Sequence, residues 1–337
     1  MALAKKRVRS RRSAVERGEG SQRASGFDAL AGSSRTIRRL RDQIRQIAPM
    51  RTAVLVEGEP GSGKGAVALS LHRQGPRRGG PFQEFDCVAT PESLQETELF
   101  GIAASRARGP GPGRPGLFEM ASGGTLMLKG IEAASPRLQA QLLRAMQDRR
   151  VVPIGGADFV RVDVRVVAGT SRDLAAEVAA GRFRGDLFNV LAMVRIAVPP
   201  LRERAEDIPA LAERLLRELA RERGRRSRAI THGAMERLVA YPWPGNLREL
   251  RGVLEAMVSA TRGRGGLEVS ALPAELRERE GPAAKVDVAV GMTLDEAERR
   301  LIEATMRHAG NRKPQAAAIL GIGLRTLYRK LERMARR

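Results

Sequence analysis

The stretch "TAVLVEGEPGSGKGAVALSLH", residues 52–72, decides the fold. A short apolar run reaches Val56, a Gly-rich loop follows from Gly58 to Gly65, and small and apolar residues then resume at helical spacing. Gly58, Gly63 and Lys64 fit G-x-x-x-x-G-K between a strand and a helix, the context that motif requires. Glycines there let backbone N–H groups turn onto phosphate oxygens, the helix N-terminus adds its dipole, and the lysine reaches the outer phosphates. Gly58, Gly61, Gly63, Lys64 and Gly65 are therefore candidate nucleotide contacts, with ATP or ADP as the expected cofactor. Gly65 stands where such a loop usually carries a magnesium-binding hydroxyl, so magnesium is not expected to be held.

Outward from this loop, the short β-rich runs "FQEFDC" (82–87), "GTLMLKG" (124–130) and "VRVVAGTS" (164–171) alternate with helical stretches. That alternation predicts an α/β domain around a mostly parallel sheet. Ser135-Pro136 is an N-cap and first-turn pair, and Leu138, Leu142, Ala145 and Met146 share one helix face. After "IAVPPLRER" (196–204) the strands stop and helical patterns take over. The expected divisions are a basic disordered arm at 1–26, an α/β subdomain at 27–198, a helical lid at 199–266, a linker at 267–291 and a small all-α domain at 292–337. Thr293 and Glu296 form a capping box that starts the last of these.

At 337 residues with 42% hydrophobic and 3% aromatic content, the chain has room for more than one aliphatic core. Sixty Lys and Arg against 38 Asp and Glu give a formal charge of +22, which favours a polyanionic partner, double-stranded DNA first. Both ends are dense in positive charge: residues 1–26 carry eight basic residues against two Glu, and residues 292–337 carry eleven against five acids. One Cys excludes an internal disulfide, and three scattered His suggest no metal cluster. "MALAKKRVRSRR" has no apolar run behind it and no stretch approaches a membrane span, so the expected place is the cytoplasm, at the nucleoid.

Beside a phosphate loop, a strand such as "GTLMLKG" is expected to end in two acids, one for a metal and one for a water. Here those positions are Lys129 and Gly130. Lys129 has two readings that remain open on sequence: its ammonium pairs with β- and γ-phosphate oxygens in place of the metal, or it extends to solvent.

"GEPGSGKG", "PESLQETELFG", "FEMASGGTL", "LQAQLLRAMQD", "VDVRVVAGTSRDL", "GRFRGDL", "PPLRERAEDIP" and "YPWPGNLREL" follow the order and spacing of one family. From Phe27 to about Gly266 the chain resembles the AAA+ domain of bacterial sigma-54-dependent transcription activators. The resemblance implies that the family's acidic pair falls on Lys129 and Gly130, and its sensor Asn on Ser171. The Asn that couples nucleotide state to the remodelling loop falls on Asp86. Of two arginines that reach a neighbouring subunit's nucleotide, Arg184 is present and the other position is Val190. The lid's sensor arginine is Arg248. The family's sigma-gripping GAFTGA loop aligns on "SRARGP", Ser105–Pro110, where Ala107 and Arg108 replace its Phe and Thr. No hold on sigma-54 RNA polymerase is expected from it.

Residues 292–337 read as three helices with a helix-turn-helix in "GNRKPQAAAILGIGLRTLYRKL", similar to the Fis-type domain that ends many such activators. Small residues in "QAAAIL" allow close packing, Gly321 is a C-cap, and Ile322 and Leu327 are apolar contacts across the turn. Gly323 stands where the family often has a capping Ser. In that motif the last helix enters the major groove. Leu324, Arg325 and Tyr328 are then expected toward bases, with Arg312, Lys313, Arg329, Lys330 and Arg333 toward the backbone.

Three functional readings follow. One is a sequence-specific DNA-binding regulator whose AAA+ domain binds nucleotide without hydrolysing it. The second is a working ATP-driven activator. The third is a modulator that forms mixed rings with an intact AAA+ relative; homo-oligomers remain open under any of the three.

Overall fold

In the computed structural model of the chain, the described residues are 30–104, 113–224, 226–261, 265–277, 291–309 and 313–335. The basic arm at 1–26, the Ser105–Pro110 stretch and Arg312 lie outside them. The chain divides into two compact units, the first running to Asp207 with Pro244–Arg248 added, the second holding Ile208–Trp243 and the residues from Glu249 onward.

The first unit begins with α1 (Arg35–Ile47), whose N-cap Ser34 accepts a hydrogen bond from the Ile37 N–H. There follow β1 (Val54–Glu57), α2 (Lys64–Gln74), β2 (Phe82–Asp86), α3 (Glu92–Phe100), the short pair β3 (Gly101–Ile102) and β4 (Arg114–Pro115), α4 (Leu117–Met120) and β5 (Thr125–Lys129). Then come α5 (Pro136–Asp148), the hairpin β6 (Arg150–Val151) and β7 (Val160–Arg161), β8 (Arg165–Thr170), α6 (Leu174–Ala179), α7 (Gly185–Leu191) and β9 (Arg195–Ala197).

The main sheet has the order β2-β5-β8-β1-β9, with every pairing parallel. Its three central strands, β5, β8 and β1, are buried on both faces, as a parallel sheet covered on two sides requires. Leu55, Leu126, Leu128, Val166 and Ala168 face one core with Leu138, Leu142 and Leu187. Val54, Val56, Met127, Val167 and Ile196 face the other, against Ile37, Leu40 and Ile44 of α1 and Val67 and Leu71 of α2. The register sets Lys129 beside Gly169 and Glu57 beside Thr170, so the loops after β1, β5 and β8 open on one edge. Ser135 caps α5 through the Leu138 N–H at 3.2 Å.

In the second unit lie α8 (Ile208–Glu222), α9 (His232–Ala240) and the body of α10 (Asn246–Ala260). Trp243 is fully buried, donates its indole N–H to the Leu238 carbonyl at 2.8 Å and meets the Tyr241 ring edge-on. Of the stretch expected from sequence to be a linker, 267–291, residues 267–277 and 291 are among those described. Leu267, Leu272 and Leu276 are buried, residue 267 bridges to Ile230, and a one-turn helix, α11 (Ala274–Arg277), follows. Apolar burial at intervals of four and five residues holds what a Gly, Pro and charge count alone marks as a tether.

Helices α12 (Leu294–His308), α13 (Lys313–Ile319) and α14 (Leu324–Ala335) pack around Ile302, Met306, Ala316, Ala317 and Leu327. Thr293 caps α12 through the Glu296 N–H at 3.3 Å. At the turn, Gly321 has φ +64° and Ile322 N–H reaches back to the Ala317 carbonyl at 3.0 Å, the six-to-one bond of a Schellman stop.

Candidate nucleotide site and nucleic-acid interface

Between β1 and α2 the loop is built from glycines with positive φ: Gly58 at +156°, Gly61 at +77° and Gly63 at +110°. Gly61 also permits a close approach, since a Cβ there would lie 2.3 Å from the Gly245 carbonyl oxygen. Gly63 precedes α2 with no side-chain cap, which leaves the helix start to an incoming anion. Lys64 Nζ folds back onto the Gly58 and Glu59 carbonyls at 2.6 and 3.0 Å and onto Ser171 Oγ at 2.8 Å. Burial holds its pKa below the ordinary lysine value; the Glu132 carboxylate opposes that shift and Arg248 adds to it. An uncapped helix start facing a lysine fits a polyphosphate.

A polar cage fixes the shape of this loop. Glu59 takes a two-pronged contact from Arg202 at 2.6 and 2.9 Å and a third from Asn246 Nδ2 at 3.0 Å. Those bonds to the charged form depress the Glu59 carboxyl to about 2. Asn246 also accepts the Leu201 N–H at 2.7 Å, and the buried Arg204 donates to the Ser62 carbonyl at 3.0 Å.

The β5 side of the site is different. Lys129 Nζ pairs with Glu84 Oε2 on the neighbouring strand at 2.9 Å. Gly130 has φ +62°, and a Cβ there would come within 2.4 Å of Val88 Cγ2. It opens the 3-10 turn Ile131–Ala133, which brings Glu132 to the edge: its Oε1 accepts the Ser171 N–H at 3.0 Å, and Oε2 is buried without a partner among the described residues. Asp86 Oδ1 accepts the Val88 and Ala89 N–H groups, both at 3.0 Å, in a local turn. Among the described residues no group of three or more His, Cys, Asp or Glu is placed to hold a metal. With no side-chain oxygen at Gly65 or Gly130 and an ammonium at Lys129, the donor set does not fit magnesium.

Arg184 is held by Asp186 in a two-pronged contact at 3.0 and 2.7 Å and stays exposed. Val190 packs against the core of the first unit. Arg248 is exposed on the first turn of α10, close enough to Lys64 to bias its charge.

On α14, Leu324, Arg325, Tyr328 and Arg329 are exposed along one face. Lys313 places its ammonium 4.6 Å from the centre of the Tyr328 ring, a cation–π contact. Lys330 and Arg333, expected toward the DNA backbone, pair with Glu298 and Asp295 on α12, the latter pair at 3.3 Å. Arg333 stays exposed, four residues beyond Arg329 on the helix, whereas Lys330 is half-buried.

Glu84 and Glu132 are the site residues that the sequence reading missed. Neither stands in a phosphate-loop motif. Glu84 becomes a partner through strand register, and Glu132 through the turn that Gly130 permits.

The parallel sheet with its phosphate loop, followed by a three-helix DNA-binding domain, defines an AAA+ P-loop protein with a helix-turn-helix. Family models agree: one described as the sigma-54 interaction domain matches residues 30–197, the AAA+ ATPase lid domain matches 202–288, and the Fis family of bacterial regulatory proteins matches 293–334. The response regulator protein PilR of Pseudomonas aeruginosa is 39% identical over 90% of this chain and 69% of its own length. The Nif-specific regulatory protein of Azotobacter vinelandii is 41% identical over 91% of this chain, which spans 59% of that protein. Crystal structures of NtrX from Brucella abortus in complex with ADP and with ATP each superpose with a TM-score of 0.69 at 31% identity, covering 98% of this chain and 75% of theirs. The chain belongs to the family of sigma-54-dependent transcriptional regulators. Among the described residues no helix is long and apolar enough to cross a membrane.

Proposed function

We propose that this regulator reads a specific DNA site through α14 and binds ATP or ADP at Gly58–Gly65 without hydrolysing it. The observation that carries the reading is the Glu84–Lys129 ion pair, which puts an ammonium where a catalytic carboxylate would hold a cation. Phosphoryl transfer to water needs counter-charge on the phosphates and an oriented water, and an inter-subunit arginine alone contributes about 10³–10⁵ in rate. Lys129, Gly130 and Val190 remove one contribution of each kind. The nucleotide then acts as a structural ligand that ties the loop to Arg248 and Ser171. Without the Phe and Thr of the gripping loop, Ala107 and Arg108 give sigma-54 little to hold, and regulation runs through DNA occupancy. The test is steady-state ATP turnover by the purified chain beside Lys64→Ala. Equal, background-level rates are expected; turnover that Lys64→Ala abolishes would overturn the proposal.

A second reading, an active ATP-driven sigma-54-dependent activator, is favoured by Glu132, a carboxylate at the site edge with one unpartnered buried oxygen. It requires turnover that disappears in Glu132→Gln. The mixed-ring reading is favoured by Arg184, exposed and able to serve a neighbour's nucleotide in a ring with an intact relative. It requires that adding this chain alter the turnover of such a relative and that Arg184→Ala change the size of that effect.

A further inference from the structure

The residues around the phosphate loop do not fit magnesium, but they replace it with something definite. Strands β2 and β5 pair so that Glu84 lies opposite Met127 and Asp86 opposite Lys129. Glu84 and Lys129 therefore stand on the same face of the sheet, the one Met127 presents to α2, two residues apart along it. The first turn of α2 rests on them: a Cβ on Gly65 would be 3.6 Å from Glu84 Oε1 and 3.9 Å from Lys129 Cε. A hydroxyl at 65 and an acid at 129 would together cradle a cation there. The lysine and the bare glycine instead leave a cation facing an ammonium, with one carboxylate already paired at 2.9 Å.

We propose that the Glu84–Lys129 pair takes the place of the divalent cation, so that nucleoside polyphosphate binds here without metal and Lys129 exchanges Glu84 for a phosphate oxygen on binding. The inference rests on the reading that this loop binds nucleotide. The side chains of Lys129 and Glu84 are 38% and 28% exposed, which leaves the ammonium reachable from the site edge and the carboxylate able to return to water. Before binding, the pair is neutral as a unit, so Lys129 does not stand as an isolated ammonium on the side of the site that Lys64 also serves. On binding, one charge-assisted contact is traded for another of the same class, a near-balanced exchange that no ion has to mediate.

The experiment is equilibrium titration of the full chain with ATP, read by calorimetry, in excess magnesium and in excess EDTA. Affinities within about twofold of each other are expected, because nothing in the site uses the metal beyond its shielding of the nucleotide. ATP binding at least about tenfold weaker in EDTA would overturn the inference while leaving the nucleotide-site reading intact. Absence of binding in both buffers would overturn both. Glu84→Gln supplies the second arm. Freed from its acid, Lys129 should tighten ATP by about two- to fivefold in EDTA, the equivalent of a partly exposed ion pair. Unchanged or weaker ATP binding in a variant with the wild-type melting temperature would overturn the exchange.

Discussion

The nucleotide site and the helix-turn-helix treat their charges in opposite ways. Around the phosphate loop, two carboxylates are matched to cations within the unit: Glu84 to Lys129 and Glu59 to Arg202. On α14, Lys330 and Arg333 are matched to acids of α12, while Leu324, Arg325, Tyr328 and Arg329 are exposed. The first pattern suits a loop that must hold its shape and admit a ligand without chemistry. The second suits a surface whose partner comes from outside. A charge that is already paired has to be released before it can act on a ligand, whereas an exposed one costs little to recruit.

The sharpest way to break this contrast is to remove residues 292–337. Sequence preference in DNA binding should then vanish, a loss of about 10³-fold or more on a preferred site, leaving weak salt-sensitive binding by the basic arm. Mobility shifts with preferred and scrambled duplexes at two salt concentrations check it, and a surviving preference would place the reading head elsewhere.

Next in size is an attempt to restore the lost acid at Gly130. The left-handed backbone at φ +62° costs a non-glycine residue about 1–2 kcal/mol. Contact with Val88 adds less, because that side chain is 70% exposed and can move. Gly130→Glu should therefore lower the melting temperature, and Val88→Ala added to it should recover a minor part of the loss. An unchanged melting temperature would show that the turn carrying Glu132 is freer than its geometry indicates.

Within the helix-turn-helix, Arg325→Ala should cost about 1–3 kcal/mol on the preferred site if the arginine makes a bidentate base contact, and little on a scrambled duplex. Arg333→Ala, which removes a group paired to Asp295, should weaken both duplexes alike and by less. Equal losses from the two substitutions on the preferred duplex would erase the distinction between Arg325 and the acid-paired Arg333.

The smallest effect concerns Glu59. Its carboxyl lies at about 2 in the folded chain against an ordinary 4.5. A group depressed on folding contributes stability that is present in full above the unfolded value and is lost as pH falls from 4.5 toward 2. Denaturant midpoints measured across that window should fall less steeply in Glu59→Gln than in the unmodified protein. Parallel curves would mean that the cage of Arg202 and Asn246 adds nothing.

Much of this molecule is legible in the chain because it rests on local rules. The strand, loop and helix around Lys64, the Ser135 and Thr293 caps and the Gly321 stop each follow from residues within one turn of each other. The α/β class follows from the alternation of strands and helices. What stays hidden depends on register and folding back. Glu84 gains its meaning from pairing with β5, Glu132 from a left-handed glycine two residues earlier, and the ordering of 267–277 from three leucines whose burial no local count reveals. The pairing of Lys330 and Arg333 likewise requires knowing that Glu298 and Asp295 lie across from them.

The central claim is that a phosphate cradle has been kept while the chemistry beside it has been replaced by an internal ion pair. The most direct measurement is a single-turnover assay in which excess purified chain is loaded with labelled ATP and the bound nucleotide is recovered over time. Nucleotide that binds through Lys64 and is recovered as ATP, with or without magnesium, is the predicted result. Conversion to ADP at a rate that Lys64→Ala removes would contradict it.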